Sequence, residues 1–137
     1  MSSGKPVPVA RGEEATWFAA AREGRLAYQR CGDCGDVPSY PRAICPTCWS
    51  SKLHEEQSVG HGIVYSFTVQ YRAGAKGFES EVPYTLVLVD LDEGFRVLAD
   101  LHDCDVDSVA VGLEVQVYFD DVATLPHFRP VDKVNVA

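Results

Sequence analysis

The chain has 137 residues, 46% hydrophobic and 23% charged, a balance that fits one ordinary domain or a small module joined to a compact barrel and is that of a globular chain, not a disordered one. No apolar run approaches about eighteen residues, so no membrane-spanning helix is expected. The net charge is −8 and is unevenly placed: residues 79–121 carry twelve acidic side chains against the single basic Arg96, which would repel a phosphate backbone and argues against a nucleic-acid partner.

Residues 1–11 are rich in proline, serine and glycine and read as a loose arm. They lack the apolar segment of a secretory signal, so a reducing cytoplasmic setting is expected for the five cysteines. Residues 13–23 read as a short helix: Glu13 and Glu14 suit its positive end, Arg22 its negative end, and Gly24 its C-terminal stop. Trp17, Phe18 and Ala21 form an apolar stripe on it. Because this helix lies outside any obvious core, Trp17 and Phe18 are candidates for a partner interface as well as for local packing.

Two Cys-x-x-Cys pairs follow, Cys31/Cys34 and Cys45/Cys48, ten residues apart. Each pair can turn both sulfurs toward one ion, and four thiolates at tetrahedral corners are what a structural zinc site requires. Two disulfides, two redox dithiols or a rubredoxin-like iron would use the same residues. A closed four-sulfur site leaves no position for water or substrate, which makes the metal a structural staple. Leu26 to Arg30 is expected as the strand entering the first pair and Val37 to Arg42 as its return, with Tyr40, Ile44 and Trp49 covering the metal.

Residues 62–71 alternate, with Ile63, Tyr65, Phe67, Val69 and Tyr71 on one face, and predict a half-buried strand. The loop from Arg72 to Pro83 is long and irregular, which favours a functional role. Its Arg72 and Lys76 are cations available to meet the phosphates of a ligand, and Phe78 adds an apolar surface beside them. Arg42 and Arg129 are the fallback cations. Residues 84–91 read as a central strand, 95–101 and 113–119 as further strands, and 128–131 as a short closing strand, while Pro126 marks a loop or edge. Five short strands with one long loop suit a small closed barrel of the OB type. The fold class is therefore mainly β: an N-terminal arm and helix (1–25), a four-cysteine zinc ribbon (26–58) and a five-stranded OB-fold barrel (59–137).

No nucleophile–base pair is evident, so no catalytic residue is assigned and no redox cofactor is implied. Cys104 sits among Asp103, Asp105 and Asp107, a poor setting for a thiolate nucleophile. His54, His61, His102 and His127 are scattered singly, without metal-ligand spacing.

Taken in order, the segments Trp17–Leu26, Gln29–Gly35, Tyr40–Arg42, Cys45–Cys48, Gly62–Val69, Val82–Tyr84, Val111–Val115 and Leu125–Pro130 resemble the small zinc-ribbon/OB-fold proteins associated with acyl-CoA enzymes, a family defined as a domain of unknown function. The match covers roughly residues 12–131, and all four cysteines fit it. The resemblance implies a non-catalytic accessory subunit that forms a hetero-oligomer with a thiolase-superfamily aldolase or thiolase acting on acyl-CoA thioesters, in settings such as steroid side-chain or aromatic degradation. The alternatives to that favoured reading are a free-standing acyl-CoA binding module, or a subunit of a hydratase or acyltransferase complex; with CoA as the implied ligand, Arg72, Lys76 and Phe78 are the candidates to line its route.

Overall fold

The computed structural model describes residues 11–73, 79–119 and 125–131. A single helix, α1 (Glu14–Arg22), precedes seven strands: β1 (Ala27–Cys31), β2 (Leu53–Gln57), β3 (His61–Gln70), β4 (Tyr84–Leu91), β5 (Arg96–Leu101), β6 (Glu114–Phe119) and β7 (Pro126–Pro130). Among the described residues no helix is long and apolar enough to cross a membrane.

Helix α1 has Glu14 in its first turn and Arg22 in its last, each at the end whose partial charge it complements. It stops where Gly24 adopts φ +77° and the N–H groups of Gly24 and Arg25 return to the carbonyls of Ala21 and Ala20. Ala20 and Ala21 are buried, and Trp17 packs against the main core. The expectation that this helix lies outside any core is therefore corrected: its small residues allow close approach, and its largest ring reaches the barrel.

Strands β1 and β2 form an antiparallel ribbon, with Ala27 opposite Gln57 and Cys31 opposite Leu53. The expected return strand at 37–42 does not form. Pro38 and Pro41 remove two amide donors from that segment. The actual partner, β2, is the charged LHEEQ segment, four of whose five residues are exposed, so it carries no apolar alternation to mark it.

The remaining strands close a barrel in the order β3-β4-β5-β7-β6, with β6 returning to β3. All pairings are antiparallel except β5–β7. This is the predicted five-stranded OB-type barrel. Val64, Val87, Val89, Val97, Val115 and Phe128 fill it. β7 begins at Pro126, which is buried and pairs with Phe119. A proline is tolerated as the first residue of a strand, so the closing strand starts earlier than predicted.

The predicted apolar face of β3 is broken by a bulge. The register with β4 slips between Val64 and Ser66, leaving Tyr65 without an opposite residue. Before the bulge Val64 faces Val89 and points inward, while Ile63 is 44% exposed. After it, Phe67 and Val69 share the face of the buried Val87 and Thr85. Tyr65, at 51% exposure, and Tyr71, at 68%, stand outside. One extra residue thus splits a five-residue stripe between the two faces.

Ribbon and barrel share one core. Leu26 and Tyr28 join the barrel cluster, and the Tyr28 ring stacks on Phe95 with centroids 4.9 Å apart. The connection from β2 to β3 is clamped by Glu93, which accepts hydrogen bonds from Ser58 Oγ (2.7 Å) and the Val59 N–H (2.9 Å). Gly60 follows at φ +80°, where an added Cβ would lie 2.1 Å from Val117 Cγ1, so the chain can enter the barrel there only as glycine.

Candidate metal centre and groove

The two Cys-x-x-Cys turns are built alike. The Gly35 N–H returns to the Cys31 carbonyl (3.0 Å) and the Cys31 N–H to the Asp36 carbonyl (2.8 Å). In the second turn the Trp49 N–H returns to Cys45 (2.9 Å) and the Cys45 N–H to Ser50 (2.8 Å). Both turns need a positive φ at the residue after the second cysteine, and the chain supplies it with Gly35 at +78° and Trp49 at +67°. A side chain at that conformation costs about 1–2 kcal/mol relative to glycine.

The four sulfurs lie within 4.8 Å of one another, with Cys31–Cys48 at 3.6 Å and Cys34–Cys45 at 3.7 Å. Sulfurs at the corners of a tetrahedron with zinc–sulfur bonds of about 2.3 Å are about 3.8 Å apart. The four cysteines are thus positioned to bind a structural zinc. The N–H groups of Cys34 and Asp33 point at Cys31 Sγ and hold that thiol down at about 6. At Cys34 an N–H from Asp36 acts in the same sense, but desolvation and the neighbouring sulfurs prevail and push the thiol up to about 12. Four thiols crowded like this cannot all ionise without a cation between them.

Tyr40, Ile44 and Trp49 do not cover the metal. They are 48%, 49% and 80% exposed. Cys31 and Cys45 are buried and Cys34 and Cys48 exposed, in turns closed by backbone hydrogen bonds. The Tyr40 hydroxyl accepts a hydrogen bond from the Leu98 N–H (3.2 Å), covering a stretch of β5 that β7 does not reach.

A groove of about 550 Å³ lies between α1 and the barrel, lined by Trp17, Pro83, Leu86, Leu98 and Pro126 around a polar centre. That centre is Asp100, His102 and His127. The parallel β5–β7 pairing sets Asp100 opposite His127. His102 lies just past β5, fixed by its N–H to the Phe128 carbonyl (2.8 Å). Asp100 Oδ2 meets His102 Nε2 at 2.8 Å, and Oδ1 meets His127 Nδ1 at 2.5 Å. Burial acts to raise the Asp100 carboxyl, but the hydrogen bonds from both rings outweigh it and hold the group well below the usual range. The bond to Asp100 raises His102 in turn, with help from Glu81 and Asp103.

This cluster was not visible in the sequence, where the two histidines stand 25 positions apart; its one local signal was Asp100 and His102 two residues apart at a strand end. Cys104 lines the same groove. Of the expected CoA-route residues, Arg72 is exposed after β3, while Lys76 and Phe78 lie outside the described residues. The Arg42 backbone is held by the Gln29 amide at both its N–H and its carbonyl. The Arg129 guanidinium lies over the Tyr118 ring at 4.7 Å. Phe18 is half-buried, its ring edge-on to Trp17 at 4.9 Å.

Comparison with known proteins agrees with this architecture. Residues 18–54 match the family "ChsH2, rubredoxin-like zinc ribbon domain", and residues 55–120 match "ChsH2, C-terminal OB-fold domain". A DUF35 domain-containing scaffold protein of Pyrococcus furiosus is 34% identical over 139 residues, covering 95% of this chain and 98% of that protein. A probable enoyl-CoA hydratase alpha subunit of Thermomonospora curvata is 35% identical over 92% of this chain, which spans 40% of that longer protein. Among solved structures, the Ltp2-ChsH2(DUF35) aldolase superposes with a TM-score of 0.80 at 35% identity, covering 90% of this chain and 98% of that one.

Proposed function

The chain belongs to the DUF35 family, and from that membership we propose that it is a non-catalytic accessory subunit of a thiolase-superfamily acyl-CoA enzyme, a retro-aldolase or thiolase, working in the cytoplasm. The partner carries the nucleophile; this chain supports it beside its CoA-thioester site.

The observation that carries the reading is an apolar face on the outside of the barrel. The bulge turns Tyr65 outward, where its ring lies under the Arg96 guanidinium at 3.5 Å. Arg96 is fixed in turn by Asp90 at 2.6 Å. Two residues along β5, Leu98 is 55% exposed and touches the Tyr40 hydroxyl through its N–H. Tyrosine and arginine held rigid beside exposed leucine are the composition of an interface centre. Exposed Trp49, kept in a backbone conformation that glycine would adopt more cheaply, is consistent with an external demand on the ribbon.

Co-expression with a thiolase-superfamily protein encoded beside this chain, followed by size exclusion, tests the reading. A stable hetero-oligomer is expected. Changing Tyr65 and Leu98 together to alanine should weaken it at least ~10-fold, as loss of one central anchor does, with zinc content and melting unchanged. Phe18→Ala is the cleaner probe of the α1 surface, because Trp17→Ala would also loosen the helix from the core. Unaltered affinity in all these variants would move the interface elsewhere. A chain that stays alone with every such partner yet binds acyl-CoA would support the free-standing binding module instead.

The route for CoA is proposed along the loop that begins at Arg72. In the assembled complex, Arg72→Ala is expected to raise KM for the acyl-CoA with little change in kcat, and the effect should shrink at high salt because exposed charges act mainly on encounter. An unmoved KM at low salt would shift the route to Arg42 or Arg129.

A further inference from the structure

The Asp100–His102–His127 cluster is not used by the accessory role and does not depend on it. We propose that these three residues form a second metal site, for a divalent transition ion of the zinc class, with an open coordination position facing the groove.

The donor atoms come from three different places: the end of β5, the turn after it and β7. Barrel closure brings them together so that all lie within 4.8 Å of one another. Two imidazoles and one carboxylate are a ligand set that suits zinc, cobalt, nickel or iron, and three protein ligands leave room for water or a ligand oxygen at the remaining position. The ring atoms aimed at Asp100, His102 Nε2 and His127 Nδ1, are the atoms that would bind the ion once they give up their protons. Donors now 2.5 and 2.8 Å apart would have to open to about 3.3 Å around an ion bound at about 2.1 Å. All three side chains line the groove, so the open side of the cluster can take that movement.

The surroundings favour a cation. Glu81 and Asp103 line the same groove, and residues 79–121 carry twelve acidic side chains against the basic Arg96. Trp17, Pro83 and Pro126 form apolar walls around the polar centre, a shell that limits water and strengthens charge–ligand attraction. The main-chain bond from the His102 N–H to the Phe128 carbonyl fixes the His102 backbone relative to β7.

The test uses the full chain purified with its ribbon zinc in place. Added Zn²⁺, removed from solution by desalting, should leave two zinc ions per chain by mass spectrometry, and one in His102→Ala and in His127→Gln. His102 has a side chain 40% exposed, so its alanine variant should keep the parent melting temperature and the ribbon zinc. Added Co²⁺ should give visible d–d bands without thiolate charge-transfer absorption, which separates nitrogen and oxygen ligation from exchange into the cysteine site. One zinc per chain in excess metal, or a second ion that persists in both variants, would overturn the proposal and leave the three residues as a hydrogen-bonded wall of the groove.

Discussion

Removing the ribbon zinc, by chelation or by Cys45→Ala, is expected to unfold residues 31–52 and to destabilise the barrel with them. The module between Cys31 and Lys52 contains few buried residues, chiefly Cys31, Pro38 and Cys45. It cannot hold its turns by apolar burial, so the ion's binding energy is its folding energy, about 10 kcal/mol or more in comparable small sites. The damage should spread because Leu26, just before β1, and Tyr28 on it belong to the common core, and the Tyr28 ring stacks on Phe95. An entire domain is usually stable by only about 5–15 kcal/mol. Zinc content by mass spectrometry, protease cleavage within the ribbon and the melting temperature should change together. A chelated chain with an unchanged melting curve and a protected ribbon would show that the four sulfurs are dispensable to the fold.

Much of this architecture could be read from residues because local chemistry and global fold agree there. Glu14, Arg22 and Gly24 mark a helix by charge and stop, and the paired cysteines mark a metal turn by spacing. The strands of the barrel alternate as half-buried strands must, and β4 buries every second residue from Thr85 to Leu91. The errors occurred where sequence pattern and structure obey different constraints. β2 pairs through its backbone and through Glu56, which meets Tyr28 and Arg30, so its exposed glutamates gave no hydrophobic signal. The apolar stripe of β3 looked like one face because period two assumes an uninterrupted ladder, and a single unpaired Tyr65 reverses the parity. Large apolar residues beside the cysteines looked like a lid because small metal modules need burial; here the backbone closes the turns and leaves Tyr40, Ile44 and Trp49 outside.

The groove cluster was illegible for a topological reason. His127 reaches Asp100 only because β7 crosses to lie parallel to β5 while also pairing with β6. No spacing rule connects residues whose meeting depends on barrel closure. Conversely, the zinc cysteines were legible because each turn is local, and only the meeting of the two turns is tertiary.

Phe128→Ala should be among the most damaging single changes in the barrel. Its ring is fully buried, and on β7 it lies opposite Val117 on one side and Leu101 on the other. It therefore joins the parallel β5–β7 pair to the antiparallel strand β6. Truncation would leave a cavity among Val64, Val97 and Val115 that strands tied by ladder bonds cannot collapse to fill. The expected loss is about 3–5 kcal/mol, read as a lower urea midpoint at unchanged slope in the zinc-loaded chain. Phe67→Ala provides the control. The bulge places Phe67 on the same side as Val87, but it remains 38% exposed. Its truncation removes less contact and leaves a gap that water can enter, so the expected cost is about 1 kcal/mol. Equal losses at the two positions would mean that Phe67 is as deep in the core as Phe128, whereas no loss at Phe67 would mean that β3 runs past Tyr65 without the bulge, which would leave Phe67 on the outer face with Ile63.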